Sequence, residues 1–166
     1  MDQARRRPVL LDTGPLLIYL YWLYCDSMRA TRAARDAALR DLNLGLAWSE
    51  NQHERFDQFL KSRSVRLITN HVAAEILHFR THSFLQTHAN PFTGFVLDHL
   101  GFFEERGVLI GSLDKGLVVR FGLTDAGLVW LAQQEGCTLV TSDDRLFRAL
   151  PTDPKFEIQL LAHWVG

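Results

Sequence analysis

The chain has 166 residues, the length of one ordinary domain that buries roughly two-thirds of the surface its unfolded form exposes, and too short for two full domains. Apolar residues make up 47%, aromatics 11% and charged residues 22%, which excludes disordered, collagen-like and disulfide-scaffold proteins. Eighteen Lys and Arg against nineteen Asp and Glu leave a net charge of −1, so no global basic field holds a polyanion, and nucleic-acid binding has to be local or metal-assisted.

Taken in chain order, Arg5, Arg6 and Arg7 precede an apolar stretch, the pattern of an export signal. Asp12, Gly14 and Pro15 interrupt that stretch and no small-residue cleavage site follows, so export is not expected. No apolar run approaches the roughly 18 residues of a membrane span. The two cysteines, Cys25 and Cys137, stand far apart in no paired spacing. That usage suits reduced thiols, and cytoplasm is the expected compartment, with no membrane partner.

Val9-Leu10-Leu11 reads as a strand that ends at Asp12-Thr13-Gly14-Pro15, where Thr13 or Gly14 is placed to cap a helix and Pro15 suits its first turn. The helix that follows is apolar almost all round and is expected to be well buried. A second helix is expected over 28–46, with Ala30, Ala34 and Ala37 in its apolar stripe. A third starts at the capping box of Ser49 and Gln52 and carries Phe56, Phe59 and Leu60 on one face. Together they form a helical insert over about 26–62.

Val65 to Ile68 is the second strand, and Thr69-Asn70 caps a helix carrying Val72, Ile76 and Phe79. Asn90-Pro91 starts another helix that runs to about Glu105, after which Gly107 releases the chain into a third apolar run, Val108 to Ile110. A short helix over 114–121 precedes one capped by Thr124 that stops at Gly136. Cys137 to Thr141 is the fourth strand, a short helix follows Ser142-Asp143-Asp144, and Phe156 to Leu161 is the fifth. Short apolar strands alternating with helices predict an α/β fold, a parallel sheet of about five strands with helices on both faces, in one domain spanning 1–166.

In such a sheet, ligands bind beyond the carboxyl ends of the strands. Asp12 follows the first strand, Asp143 follows the fourth, Asp125 opens a helix and Glu75 lies early in the helix after the second. Taken singly, each has an ordinary role as turn former, helix charge or solvated residue. Taken together, four carboxylates on one rim repel unless a cation intervenes. An all-oxygen cluster suits Mg²⁺ or Mn²⁺, and the chemistry that follows is metal-activated water attacking a phosphodiester.

Three segments carry a family resemblance: Val9 to Leu16, Thr69 to Leu77, and Leu123 to Leu128 running on into Thr138 to Asp143. They resemble the PIN-domain nucleases, whose bacterial and archaeal members are mostly VapC-like toxins of toxin–antitoxin pairs. The resemblance spans the chain from Val9 to about Leu161. It implies a three-layer α/β/α sandwich, a Mg²⁺- or Mn²⁺-dependent endoribonuclease, an RNA substrate, and an antitoxin protein as partner, with a second copy of the chain as a further candidate. Carried over by residue, Asp12, Glu75, Asp125 and Asp143 are the catalytic metal-binding acids and Thr141 supports them. Asp144 adjoins Asp143 and is a further candidate ligand, although the Thr-x-Asp spacing favours Asp143.

Other signals compete. Glu50 with His53 and Glu75 with His78 have the Glu-x-x-His spacing of carboxylate-bridged di-iron bundles, a reading that requires an all-α fold. His71, Glu75, His78 and His82 fall on one helical face and admit a zinc or iron site. Arg29, Arg32 and Arg35 on the insert, with Arg40, and Arg145 and Arg148 after Asp143, are either a salt-bridged face or contacts to RNA phosphates. A non-catalytic PIN-like binding or scaffold module, its groove filled by the insert, is the alternative of a different class.

Overall fold

The computed structural model describes residues 7–41, 48–78, 83–150 and 155–164. Strands β1 (Val9–Leu11), β2 (Arg66–Thr69), β3 (Glu104–Arg106), β4 (Thr138–Thr141) and β5 (Glu157–Leu160) form one sheet in the order β3-β2-β1-β4-β5. Every neighbouring pair is parallel. Val9, Leu10 and Leu11 are fully buried, as a central strand covered on both faces requires. In register, Leu10 lies between Leu67 of β2 and Leu139 of β4.

From β1 the chain winds outward to β2 and β3, then returns to lay β4 on the other side of β1. Right-handed crossovers put the helices of the two directions on opposite faces, and the result is the three-layer α/β/α sandwich. Helices α1 (Thr13–Ser27), α2 (Arg32–Asp41), α3 (Glu50–Ser62), α4 (Asn70–His78) and α5 (Ser83–Leu100) precede β3. Helices α6 (Lys115–Phe121) and α7 (Leu123–Glu135) precede β4, and α8 (Asp144–Ala149) joins β4 to β5. α1 is central: it packs against α2, α3, α4 and α5, and ten of its fifteen residues are buried. On the other face α6 packs on α7, α7 on β4, and α8 on β4 and β5. Among the described residues, no helix is long and apolar enough to cross a membrane.

Local chemistry explains where the elements begin and end, and it corrects several expectations. Asp12, not Thr13 or Gly14, caps α1, accepting from the Thr13 N–H. The capping box of Ser49 and Gln52 is present in full, and Thr69 Oγ1 accepts from the Val72 N–H as expected. α7 begins after Gly122, at φ 93°, with no side-chain cap, so Thr124 does not cap it. Its far end is Gly136 at φ 61°, a left-handed turn that costs glycine least.

The third strand is Glu104–Arg106, not Val108 to Ile110. As a sheet edge, it pairs with β2 through its backbone and needs no apolar side chains. Val108 instead seats a second small core with Leu113 and Ala126, while Leu109 and Ile110 are exposed. Pro91 lies inside α5 rather than at its start. The roughly 3 kcal/mol that an interior proline costs is offset by Phe92 and Val96, both buried, and by the edge contacts of Phe92 with Tyr21 and Tyr24. In the insert, α1 runs on to Ser27 and α2 starts later than expected, at Arg32. Ala34 and Ala37 are exposed and Leu39 is buried in their place. The expected continuation of that helix to residue 46, and Phe79, lie outside the described residues.

The end of α1 has an unusual residue. The Arg29 N–H donates to the Asp26 carbonyl and the Ala30 N–H to the Cys25 carbonyl, the bond pair of a Schellman stop, and Arg29 takes the left-handed position at φ 52°. A side chain there costs roughly 1 kcal/mol relative to glycine. Arg29→Gly is therefore expected to stabilise the protein by about 0.5–1 kcal/mol, read as a higher urea midpoint with an unchanged slope.

Candidate active site at the carboxyl ends of the strands

The reversal of strand order between β1 and β4 leaves a crevice where neither crossover covers the carboxyl ends, the usual ligand position in open parallel sheets. Asp12 leaves β1 there and Thr141 ends β4. The Asp12 N–H donates to the Val140 carbonyl at 3.0 Å, so the two strand ends are tied together. The Asp12 side chain is buried, with 8% of the residue exposed. One oxygen, Oδ1, accepts from the Thr13 N–H at 2.6 Å, and Oδ2 accepts from the Thr141 hydroxyl at 2.7 Å. That hydroxyl in turn accepts from the Asp143 N–H at 2.9 Å.

Glu75 reaches the same rim from α4. Its two oxygens accept from the hydroxyls of Thr13 and Thr124, residues that neighbour Asp12 and Asp125 in the chain. The carboxylate is thus clamped between the first turns of α1 and α7. Asp125 sits in that first turn of α7. Asp143 caps α8: Oδ1 accepts from the N–H groups of Arg145 and Leu146, and Oδ2 stands 3.9 Å from the Arg145 guanidinium.

Electrostatics show that these acids share one field. Burial raises the pKa of Asp12 above the ordinary carboxylate range, and the charges of Glu75 and Asp143 raise it further, against the lowering effect of its two hydrogen bonds. Asp125 is pushed up to about 7, by burial first and then by Asp12, Asp143 and Glu75, with Arg145 alone among these charges pulling it down. Asp144 takes no part in that repulsion. It is exposed and pairs with Arg148 at 2.8 Å, so Asp143 is the member of the adjacent pair that joins the rim.

The structure brings together Asp12, Glu75, Asp125, Asp143 and Thr141, with Arg145 beside them. It does not bring Arg29, Arg32 or Arg35 there. Arg35 pairs with Asp26 at 2.7 Å, and fourteen residues of helix at 1.5 Å each put Asp26 about 20 Å along α1 from Asp12. Arg32 stands 3.9 Å from Asp36. The Glu-x-x-His pair in the insert is not a ligand pair: His53 is buried, stacked on Tyr19 and Trp22, and burial drives its pKa down to about 4, while Glu50 is exposed. The all-α fold that a di-iron bundle needs is overturned by the parallel sheet. α4 ends at His78, and His82 lies outside the described residues. Among the described residues no group of three or more His, Cys, Asp or Glu is arranged to hold a metal ion as it stands.

Thr13 and Thr124 are the site residues that the sequence reading missed. The signal was a hydroxyl residue adjoining each of two candidate acids. No protein-family model matches the chain, and no curated protein matches it.

Two expectations follow. Because the folded pKa of Asp125 lies near 7 against an ordinary 3.8, the folded chain binds more protons than the unfolded chain between those values, and stability falls as pH rises through them. In EDTA, Asp125→Asn is expected to flatten the fall in unfolding free energy between about pH 4 and 7, and to exceed wild type by about 1 kcal/mol at pH 8 once solvent screening is allowed for. Urea titrations across that range check it. Thr13→Val with Thr124→Val unclamps Glu75 and is expected to lower whatever activity the rim has by roughly 10–100-fold, the usual cost of losing residues that orient a ligand, with far-UV circular dichroism unchanged.

Proposed function

We propose that the chain is a metal-dependent endoribonuclease of PIN type that hydrolyses RNA phosphodiester bonds. The observation that carries this reading is the convergence of Asp12, Glu75, Asp125 and Asp143 on one rim, with Asp125 pushed to about 7 by the others and by burial. Such a rim is costly without a compensating charge. Its donors are all hard oxygens, which fit Mg²⁺ or Mn²⁺. These ions keep several waters and take only one or two carboxylates directly, so they do not require three side chains already closed into a cage. Asp12, Glu75, Asp125 and Asp143 are the residues that would hold the ion. Bound there, it would supply an activated water and neutralise charge developing on the phosphate.

The chain's own groups then have distinct tasks. Thr141 and the Thr13 N–H fix both oxygens of Asp12. Thr13 and Thr124 fix Glu75. Asp125, pushed up to about 7 by burial and by its acidic neighbours, is the acid whose charge a bound cation would restore. Arg145, its guanidinium 5.5 Å from the centre of the Phe121 ring, offers a positive charge to the scissile phosphate. The resemblance to VapC-like proteins extends the reading to a cytoplasmic toxin restrained by an antitoxin, with which the free, buried Cys25 and Cys137 accord.

Asp12→Asn, Asp125→Asn and Asp143→Asn are each expected to lower cleavage of a mixed RNA substrate in Mn²⁺ or Mg²⁺ by about 100-fold or more, the upper range for lost metal-site groups. Asp144→Asn should retain it, and EDTA should abolish it. A chain that binds RNA but cleaves none with either ion is the scaffold module instead.

A further inference from the structure

A cavity of about 290 Å³ lies between α1, α3, the start of β2 and the turn after α5. Arg66 is the first residue of β2 and Phe103 immediately precedes β3, so in this parallel sheet the cavity sits at the amino ends of the strands, on the edge away from the acidic rim. It shares no residue with that rim. Leu23, Phe102 and Phe103 give it an apolar wall, and Phe102 leaves 60% of its surface exposed. His99 extends the aromatic side. Its Nδ1 donates to the Phe95 carbonyl at 2.8 Å, which fixes the ring 3.8 Å from that of Phe95 and 5.7 Å from that of Phe102.

Three charged side chains line the same space: Asp57 and Lys61 of α3, and Arg66. Both oxygens of Asp57 are taken, Oδ1 by the Tyr19 hydroxyl at 2.9 Å and Oδ2 by the Lys61 ammonium at 2.6 Å. Arg66 is the charge left over. It is half-buried, and no described residue pairs with its guanidinium. The Nε is closed off, and the two terminal nitrogens are the part open to the cavity.

An apolar wall with one spare positive charge narrows the class of ligand. A cation is repelled, and a neutral apolar compound leaves Arg66 as it was. A phosphoryl group brings nearly two negative charges against the one positive charge left uncompensated. A carboxylate brings one, on two oxygens that match the guanidinium fork. We propose that this cavity binds a small apolar carboxylic acid in its ionised form, with the carboxylate on the terminal nitrogens of Arg66 and the apolar body against Leu23, Phe102 and Phe103. Its volume is at the lower end for ligand pockets, which suits a body of one ring or a short alkyl chain. The site stands whether or not the rim cleaves RNA.

The test is calorimetric titration of the full chain, in EDTA, with phenylacetate and with octanoate. Saturable binding is expected, and the tighter of the two assigns an aryl or an alkyl body. Phenylacetamide and octanamide, which keep the body and lose the charge, should bind at least about tenfold more weakly than their acids. Acetate and phenethylammonium should not saturate. Arg66→Gln should bring each acid down to the level of its amide and leave the amide unchanged, and Arg66→Lys, which keeps the charge without the fork, should fall between. Phe102→Ala removes an exposed ring, so it should keep the wild-type melting temperature and weaken acid and amide alike. Asp125→Asn should change none of these. If Arg66→Gln does not fold, Arg66→Lys and Phe102→Ala decide the matter. The proposal is overturned if neither acid saturates, if amide and acid bind equally, or if acid binding ignores both Arg66 and Phe102.

Discussion

A single buried carboxylate organises this fold. Asp12 ends the central strand, starts the central helix, and is bonded to the end of the neighbouring strand through the Thr141 hydroxyl. Burying a charge is expensive unless hydrogen bonds and a helix terminus compensate it. Asp12 has both, since its Oδ1 accepts from the first N–H of α1 and its Oδ2 accepts from the Thr141 hydroxyl. The direction of α1, the approach of β4 to β1 and the position of the Asp143 turn are all set within two bonds of this group.

The same compensation is incomplete, and the shortfall is informative. The two hydrogen bonds lower the pKa of Asp12, yet burial and its acidic neighbours leave it raised. Asp125, half-buried beside the charges of Asp12, Asp143 and Glu75 with Arg145 as the opposing charge, is pushed up to about 7. Two threonine hydroxyls hold Glu75 beside these acids. A structure selected for stability alone would not hold the acids in this way. Local rules broken without a structural gain are the physical ground for proposing a site there, and this rim is where the sandwich breaks them.

How much of this was legible in the sequence depends on what each residue has to satisfy. β1 and β4 were visible because a strand buried on both faces must be apolar throughout, and Val9 to Leu11 and Leu139 to Val140 are. β3 was not, because an edge strand needs only its backbone, and Glu104 to Arg106 carry no apolar signal. The nearby run Val108 to Ile110 was apolar for a different reason, a satellite core. The acids were legible because residues that follow parallel strands come out on one edge of the sheet. Their threonine clamps were not, since a hydroxyl near a helix start reads first as a cap, and only the tertiary placement of α4 shows that Thr13 and Thr124 face Glu75 instead.

The arrangement also bears on how a near-neutral chain meets a polyanion. Its net charge of −1 gives no attraction at a distance, and the acidic rim repels phosphate at close range until a cation covers it. For the proposed nuclease, a phosphodiester would reach the rim only once a cation offset the charge of Asp12, Glu75, Asp125 and Asp143, so the acid cluster itself would separate loaded from unloaded enzyme.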